Sequence, residues 1–393
     1  MTSDPFGRSE VEYHEGYPRY SAAEMQRRHT WLAATMEQHG LDAVVVGGAT
    51  APLETSVQFF TNWPPQVTSY VVFRRGEEPV LFVRLWNHLP DAERIAVIER
   101  VVYGGDTPLD QVVNVAKSLA GCRSVGLIGS IPFDEGEVLR REVGEGLKSL
   151  AVDYQRFRLV KSEEEMVFTR IASRMNDAAV AALAEELRPG MNELEVGRIV
   201  ESVYLDEGGV DLIHFSLTTP MDAPRYQVPH QYQPDRTIRA GDVFVTEIST
   251  TFWGYAGQIL RTFTIGADAT PRYARLFEVA SAVYEGIVGR LRVGATVGEI
   301  LDVADAIAAE GLDIWDDLVH GFGGAYLPPI VRTRSSRGAT HPDEWAYPDG
   351  TLLVVQPNVV EDTAGVQVGN SMWLTSDGVE VTQAYPMGLI RCG

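Results

Sequence analysis

The chain has 393 residues, 45% of them apolar and 22% charged, a length and composition that fit two globular domains with real cores rather than one. Its net charge of −21 excludes nucleic acid and anionic membranes as partners, since both demand a basic surface to displace counterions. No apolar run reaches the roughly 18 residues of a membrane helix, and the polar start MTSDPFGRSEVEYHEGYPRY has no signal-peptide core, so a cytoplasmic protein is expected. Cys122 and Cys392 form neither a disulfide framework nor a zinc motif.

Ser21 reads as the N-cap of an amphipathic helix that closes at Gly40. Leu41–Gly48 reads as a buried strand, Ser69–Arg84 as two strands around an Arg75-Gly76 turn, and Arg123–Ser130 as another strand. This alternation predicts an α/β unit over residues 1–157. RLVKSEEEM then opens a long helical region at Arg158, and a second helix begins at Asn192. From Asp211 the pattern turns to strands, interrupted by helices at Pro271–Arg290 and Val297–Ala309, so residues 158–393 are predicted to form an α+β domain.

Three stretches carry residues suited to chemistry. In RAGDVFVTEISTTFWGYAGQILRTFTIG, strand alternation puts Val243, Val245 and Glu247 on one face, and the return strand of the hairpin brings Gln258 close to Glu247. DDLVHGFGGAYLPPI sets His320 beside Gly321, Gly323 and Gly324, which permit close backbone approach. In the third, Tyr347–Thr382, an apolar strand ends at Gln356-Pro357. Taken singly, a solvated Glu247 and a structural His320 are the commoner outcomes.

Taken together and in this order, the motifs resemble the C-terminal domain of the creatinase, aminopeptidase P, prolidase and methionine aminopeptidase superfamily, the pita-bread fold. The residues that carry the resemblance are Gly241-Asp242, Gly254-Tyr255, Arg261-Thr262-Phe263, His320-Gly321-Phe322-Gly323, Gln356-Pro357 and Thr375-Ser376-Asp377-Gly378. The segment Pro229–Asp242 is similar to the one that carries the superfamily's active-site His, which falls on His230, and Phe59–Pro65 resembles an N-terminal-domain loop. The resemblance implies a creatinase-like α/β N-terminal domain followed by a pita-bread catalytic domain.

It also implies where the metallopeptidase members hold two divalent ions: positions 247, 258, 320, 356 and 369. Here they carry Glu247, Gln258, His320, Gln356 and Gly369 in place of two Asp, one His and two Glu. On that ground no metal and no cofactor are expected, and the function expected is a creatinase-like, metal-independent hydrolase or lyase of a small amino-acid-like substrate. His230, His320 and Glu247 are its candidate catalytic residues. Gln258, Gln356, Arg261, Arg332 and Trp63 are the candidate substrate contacts, the guanidinium groups for a substrate carboxylate. The alternatives are a non-catalytic pita-bread binding protein and a metal-dependent prolidase-like peptidase. A homodimer is expected, with Trp63, Pro64 and Pro65 as a lid over the partner's site.

Overall fold

The computed structural model describes residues 4–49, 54–323, 326–336 and 341–393. The chain divides into two compact units: residues 9–158, and residues 159–393 joined by residues 4–8.

The N-terminal unit is built on a six-stranded sheet. Helix α1 (Ala22–Gln38) starts where the Ser21 hydroxyl accepts from the Glu24 N–H, and the chain leaves it through Gly40 at φ +62°, a conformation that favours glycine. Strands β1 (Ala43–Gly48), β2 (Ser69–Arg74), β3 (Val80–Arg84), β4 (Arg100–Gly105), β5 (Val125–Gly129) and β6 (Leu147–Ser149) assemble in the order β4-β3-β2-β1-β5-β6. β1 and β2 are antiparallel, whereas β1 and β5 run parallel, as a helical crossover between them requires. Val45, Val72, Phe82 and Val125 close one face of this sheet against Val112 and Val115 of helix α2 (Pro108–Ser118). Trp63 lies in this unit and is only 4% exposed, and Pro65 is buried. The expectation that they present an apolar lid is therefore corrected: the indole is packed, not offered.

The second unit opens with α3 (Glu163–Glu186), nucleated by a reciprocal box in which the Ser162 hydroxyl accepts from the Glu165 N–H and the Glu165 carboxylate from the Ser162 N–H. A like box between Asn192 and Glu195 starts α4 (Glu193–Ser202). Strands β7 (Val210–Pro220), β8 (Asp242–Phe252), β9 (Ile259–Ile265), β10 (Val319–Gly321), β11 (Leu327–Val331), β12 (Thr351–Val355) and β13 (Gly369–Thr375) belong to a ten-stranded sheet in which β8, β9, β13, β12, β10 and β11 are successive neighbours and β7 flanks β8. Helices α5 (Pro271–Arg290) and α6 (Val297–Ala309) cover it, their Leu276, Val283, Ile287, Ile300 and Ala304 packing on Val245, Leu353 and Met372. Each such aliphatic side chain contributes roughly 1.5–3 kcal/mol when buried. The Gly-Asp pair ahead of β8 has a structural task. The buried Asp242 carboxylate accepts from Arg236 Nη1 at 2.8 Å, Arg236 Nη2 at 3.0 Å and the Arg239 N–H at 2.8 Å, which fixes where the strand begins.

Candidate functional site

The adjacency of β8, β9, β13, β12 and β10 sets five sequence-distant positions in a row across the sheet. Glu247 lies within β8, directly opposite Leu260 of β9; Gln258 immediately precedes β9; Gly369 begins β13; Gln356 follows the last residue of β12; His320 is the middle residue of β10. The Gln258 Nε2 group joins the strands, donating to Glu247 Oε1 at 2.8 Å and to Gln356 Oε1 at 2.9 Å. Gln356 Nε2 in turn faces Asp316 Oδ2 at 3.3 Å and Asp317 Oδ1 at 3.4 Å. The Tyr326 hydroxyl donates to the Asp317 carboxylate, and its ring lies 4.5 Å from that of His320. His320 Nδ1 donates to the Gly321 carbonyl at 3.0 Å, since a carbonyl oxygen only accepts.

Asp316, Asp317 and Tyr326 are the members that sequence reasoning missed. The acidic pair stood next to His320 in sequence, but nothing in that run shows that the pair turns toward Gln356. Burial, followed by the nearby Asp316 and Asp317, holds the Glu247 carboxyl well above the usual carboxylate range. Burial also raises Asp317, opposed by His320 and Arg332. Arg332 thus acts electrostatically on this cluster. Gly324 of the Gly-rich stretch lies outside the described residues.

Arg261 has another role than substrate recognition. Its guanidinium, fully buried, donates to the carbonyls of Leu260, Gly369, Pro386 and Tyr385, and burial lowers its pKa to about 10. It braces β9 against β13 and the C-terminal segment, so its assignment as a substrate contact is corrected. Nor does the hydrogen-bond network among the described residues include His230. That residue pairs through its backbone with Ser216 of β7, sets its ring edge-on to Tyr226 at 4.9 Å, and lines a cavity of about 500 Å³ with Thr218, Arg225, Arg236 and Arg239. Burial lowers its pKa, which favours the neutral ring.

A pair of divalent ions needs several anionic oxygens, some of them bridging. The five positions offer one carboxylate, one imidazole and two neutral amides, and among the described residues no group of three or more His, Cys, Asp and Glu side chains is disposed to hold a metal ion. Position 369 is closed to any side chain: a Cβ there would lie 2.7 Å from the Val355 carbonyl oxygen and 2.8 Å from Leu260 Cδ1. The residues present do not fit a two-ion centre.

This sheet, with its strand order and site row, is the framework of a pita-bread protein. The chain belongs to metallopeptidase family M24, whose model matches residues 168–376. It is similar to an Xaa-Pro dipeptidase of Pyrococcus horikoshii, 24% identical over 351 residues that make up 87% of this chain and 93% of that one. Among solved structures, the prolidase from Pyrococcus horikoshii OT3 superposes with a TM-score of 0.78 at 22% identity, over 93% of this chain and 100% of that one. The dipeptidase PepE from Mycobacterium ulcerans does so with a TM-score of 0.78 at 21% identity, over 95% and 99%. The fold is therefore an N-terminal domain followed by a C-terminal M24 domain. The expectation of a creatinase-like, metal-independent hydrolase or lyase is overturned, because the matching family is one of metallopeptidases and these relatives are dipeptidases. No helix among the described residues is long and apolar enough to cross a membrane.

Proposed function

We propose that the chain is a hydrolase of small peptides, of the Xaa-Pro dipeptide kind, acting at the row of residues that Glu247, Gln258, Gln356 and His320 form. The observation that carries this reading is the Gln258 amide joining Glu247 to Gln356 across three strands within the part of the chain that matches the family. The reaction breaks the C–N bond of the amide, with the hydroxyl of water going to the acyl carbon and a proton to the leaving nitrogen. In this reading His320 Nε2 and the neutral His230 handle protons, the Gln258 amide holds Glu247 and Gln356 in place across the strands, and Arg332 draws the substrate carboxylate. The working unit is proposed to be a homodimer, which sedimentation at micromolar concentration tests.

A second reading is favoured by one feature of the same network. Both N–H groups of the Gln258 amide are already engaged, and burial raises the pKa of the Glu247 carboxyl, an arrangement that suits binding without turnover. Incubation with a panel of Xaa-Pro dipeptides, with and without added Mn²⁺, Co²⁺ or Zn²⁺, separates the two. Release of free proline, abolished by His230→Ala, supports the hydrolase. A ligand-induced rise in Tm with no product supports the binding protein.

A further inference from the structure

The cavity of about 500 Å³ beside His230 differs from the row in place and in charge. The register of β7 on β8 separates the two. His230 pairs with Ser216, next to Phe215, which stands opposite Glu247. Thr219, farther into the cavity, stands opposite Val243, four residues before Glu247 and so roughly 13 Å away along the strand. The described residues that line the cavity include no member of the row, and three of them are arginines. Arg236 is spent: its guanidinium donates to Thr218 and to both oxygens of Asp242, and Glu193 lies 3.7 Å away. Arg225 and Arg239 differ. Their backbone N–H groups are fixed by Thr219 Oγ1 at 2.9 Å and Asp242 Oδ2 at 2.8 Å, while their guanidinium groups have no hydrogen-bond or ion-pair partner among the described residues. The one carboxylate among the described lining residues, Asp235, is held by the Asn192 amide at 2.6 Å. In a chain with a net charge of −21 carboxylates are abundant, so two open guanidinium groups on one cavity are set aside from internal pairing.

We propose that this cavity binds a phosphate-type oxyanion through Arg225 and Arg239, with the hydroxyls of Thr219 and Thr237 as neutral donors. The Thr219 oxygen accepts from the Arg225 N–H and still has its own O–H to give. A single guanidinium fork satisfies both oxygens of a carboxylate. Two forks and two hydroxyls offer more donors than a carboxylate accepts. They match the three terminal oxygens and the charge of about −1.5 to −2 that a phosphoryl group carries. The His230 ring, at the end of the cavity nearer the row, is kept neutral by burial and adds a hydrogen-bonding edge without adding charge. Free phosphate and the phosphoryl group of a small organic ligand share this chemistry. The proposal goes beyond the dipeptide reading and stands without it.

The test is binding to the intact chain by calorimetry and thermal shift, with sodium phosphate, glycerol 3-phosphate and sodium acetate as probes at matched ionic strength. Phosphate is expected to stabilise the chain, and acetate to bind at least about tenfold more weakly. Arg225→Gln and Arg239→Gln are each expected to lower phosphate affinity about tenfold or more. Arg239→Lys, which keeps the charge but not the fork, is expected to retain part of it. Neither guanidinium has a partner to lose, so the Tm of the free variants is expected to stay at the wild-type value, and circular dichroism establishes that they are folded. Arg100→Gln, at an exposed position on β4, removes the same charge elsewhere and is expected to leave phosphate affinity unchanged. Glycerol 3-phosphate binding more tightly than phosphate assigns the site to an organic phosphoryl ligand, and weaker binding assigns it to the free ion; both uphold the oxyanion site. No response to phosphate, equal affinity for acetate, or an equal loss in Arg100→Gln overturns the proposal. So does Gly-Pro that competes with phosphate and weakens in Arg239→Gln, which would give the arginines to the peptide carboxylate. Phosphate binding at these arginines without any Gly-Pro binding would leave the oxyanion site standing and reject the dipeptide reading.

Discussion

Gln258 and Glu247, eleven residues apart across a hairpin, are joined by a 2.8 Å hydrogen bond from the amide Nε2 to the carboxyl Oε1. The same nitrogen reaches Gln356 on a third strand. An amide therefore ties together two positions at which the superfamily resemblance implies carboxylates. Restoring those groups in the double variant Gln258→Asp/Gln356→Glu is expected to reduce stability in the absence of metal, because it crowds further buried carboxyls beside Glu247, Asp316 and Asp317. Added Mn²⁺ is expected to recover that loss in the double variant far more than it stabilises the wild type, read as the shift in Tm against Mn²⁺ concentration. Two tightly held Mn²⁺ per wild-type chain would reject this account of the donor set.

Position 369 tests whether the row is closed by packing. Gly369→Ala is expected to cost about 1–3 kcal/mol in urea unfolding, since its Cβ meets a backbone carbonyl that cannot rotate away. Leu260→Ala in the same chain is expected to relieve only part of the strain, because the Val355 carbonyl remains. A neutral Gly369→Ala would mean that the β12–β13 spacing yields easily.

Much of the architecture could be read from the sequence because local signals decide it. The Ser21 cap, the start of α4 after Asn192 and the limits of α5 and α6 follow from capping groups and apolar periodicity that lie within a few residues of one another. The closeness of Glu247 and Gln258 was legible for a similar reason, since a hairpin sets it. What could not be read depends on side chains that meet only in the folded sheet. The Asp316–Asp317 pair turns toward Gln356, forty and thirty-nine residues on; Arg261 spends its donors on carbonyls more than a hundred residues away; and Gly369 is closed by Leu260 and Val355. Trp63 misled because an aromatic-proline loop looks the same in sequence whether packed or exposed.

Arg261 separates a brace from a binding group. Arg261→Lys removes the planar fork and leaves buried carbonyls of Gly369 and Tyr385 short of donors, at about 1–3 kcal/mol each. The expected outcome is a clear loss in Tm with the affinity of the folded protein for Gly-Pro unchanged. A weakened affinity at unchanged Tm would return Arg261 to the ligand.

His214 on β7 supplies a pH dependence. Burial lowers its pKa from 6.5 to about 4, and its Nε2 has no hydrogen-bond partner among the described residues. The fold holds the neutral ring and the unfolded chain takes up the proton first. Its contribution is therefore fully present above pH 6.5 and is lost as pH falls toward about 4. At about 1.4 kcal/mol per unit the lost stability approaches about 3 kcal/mol. Urea unfolding of wild type and His214→Asn across this range is expected to show a shallower acid slope in the variant. Identical slopes would place the acid sensitivity elsewhere.

The most direct measurement is a crystal structure of the protein soaked with Gly-Pro, with anomalous data collected at a transition-metal edge. The account predicts the dipeptide seated at the row that Glu247, Gln258, Gln356 and His320 form, with the Gln258–Gln356 hydrogen bond retained and no paired anomalous peaks. A pair of anomalous peaks between Glu247 and His320, or a dipeptide bound away from this row, would contradict it.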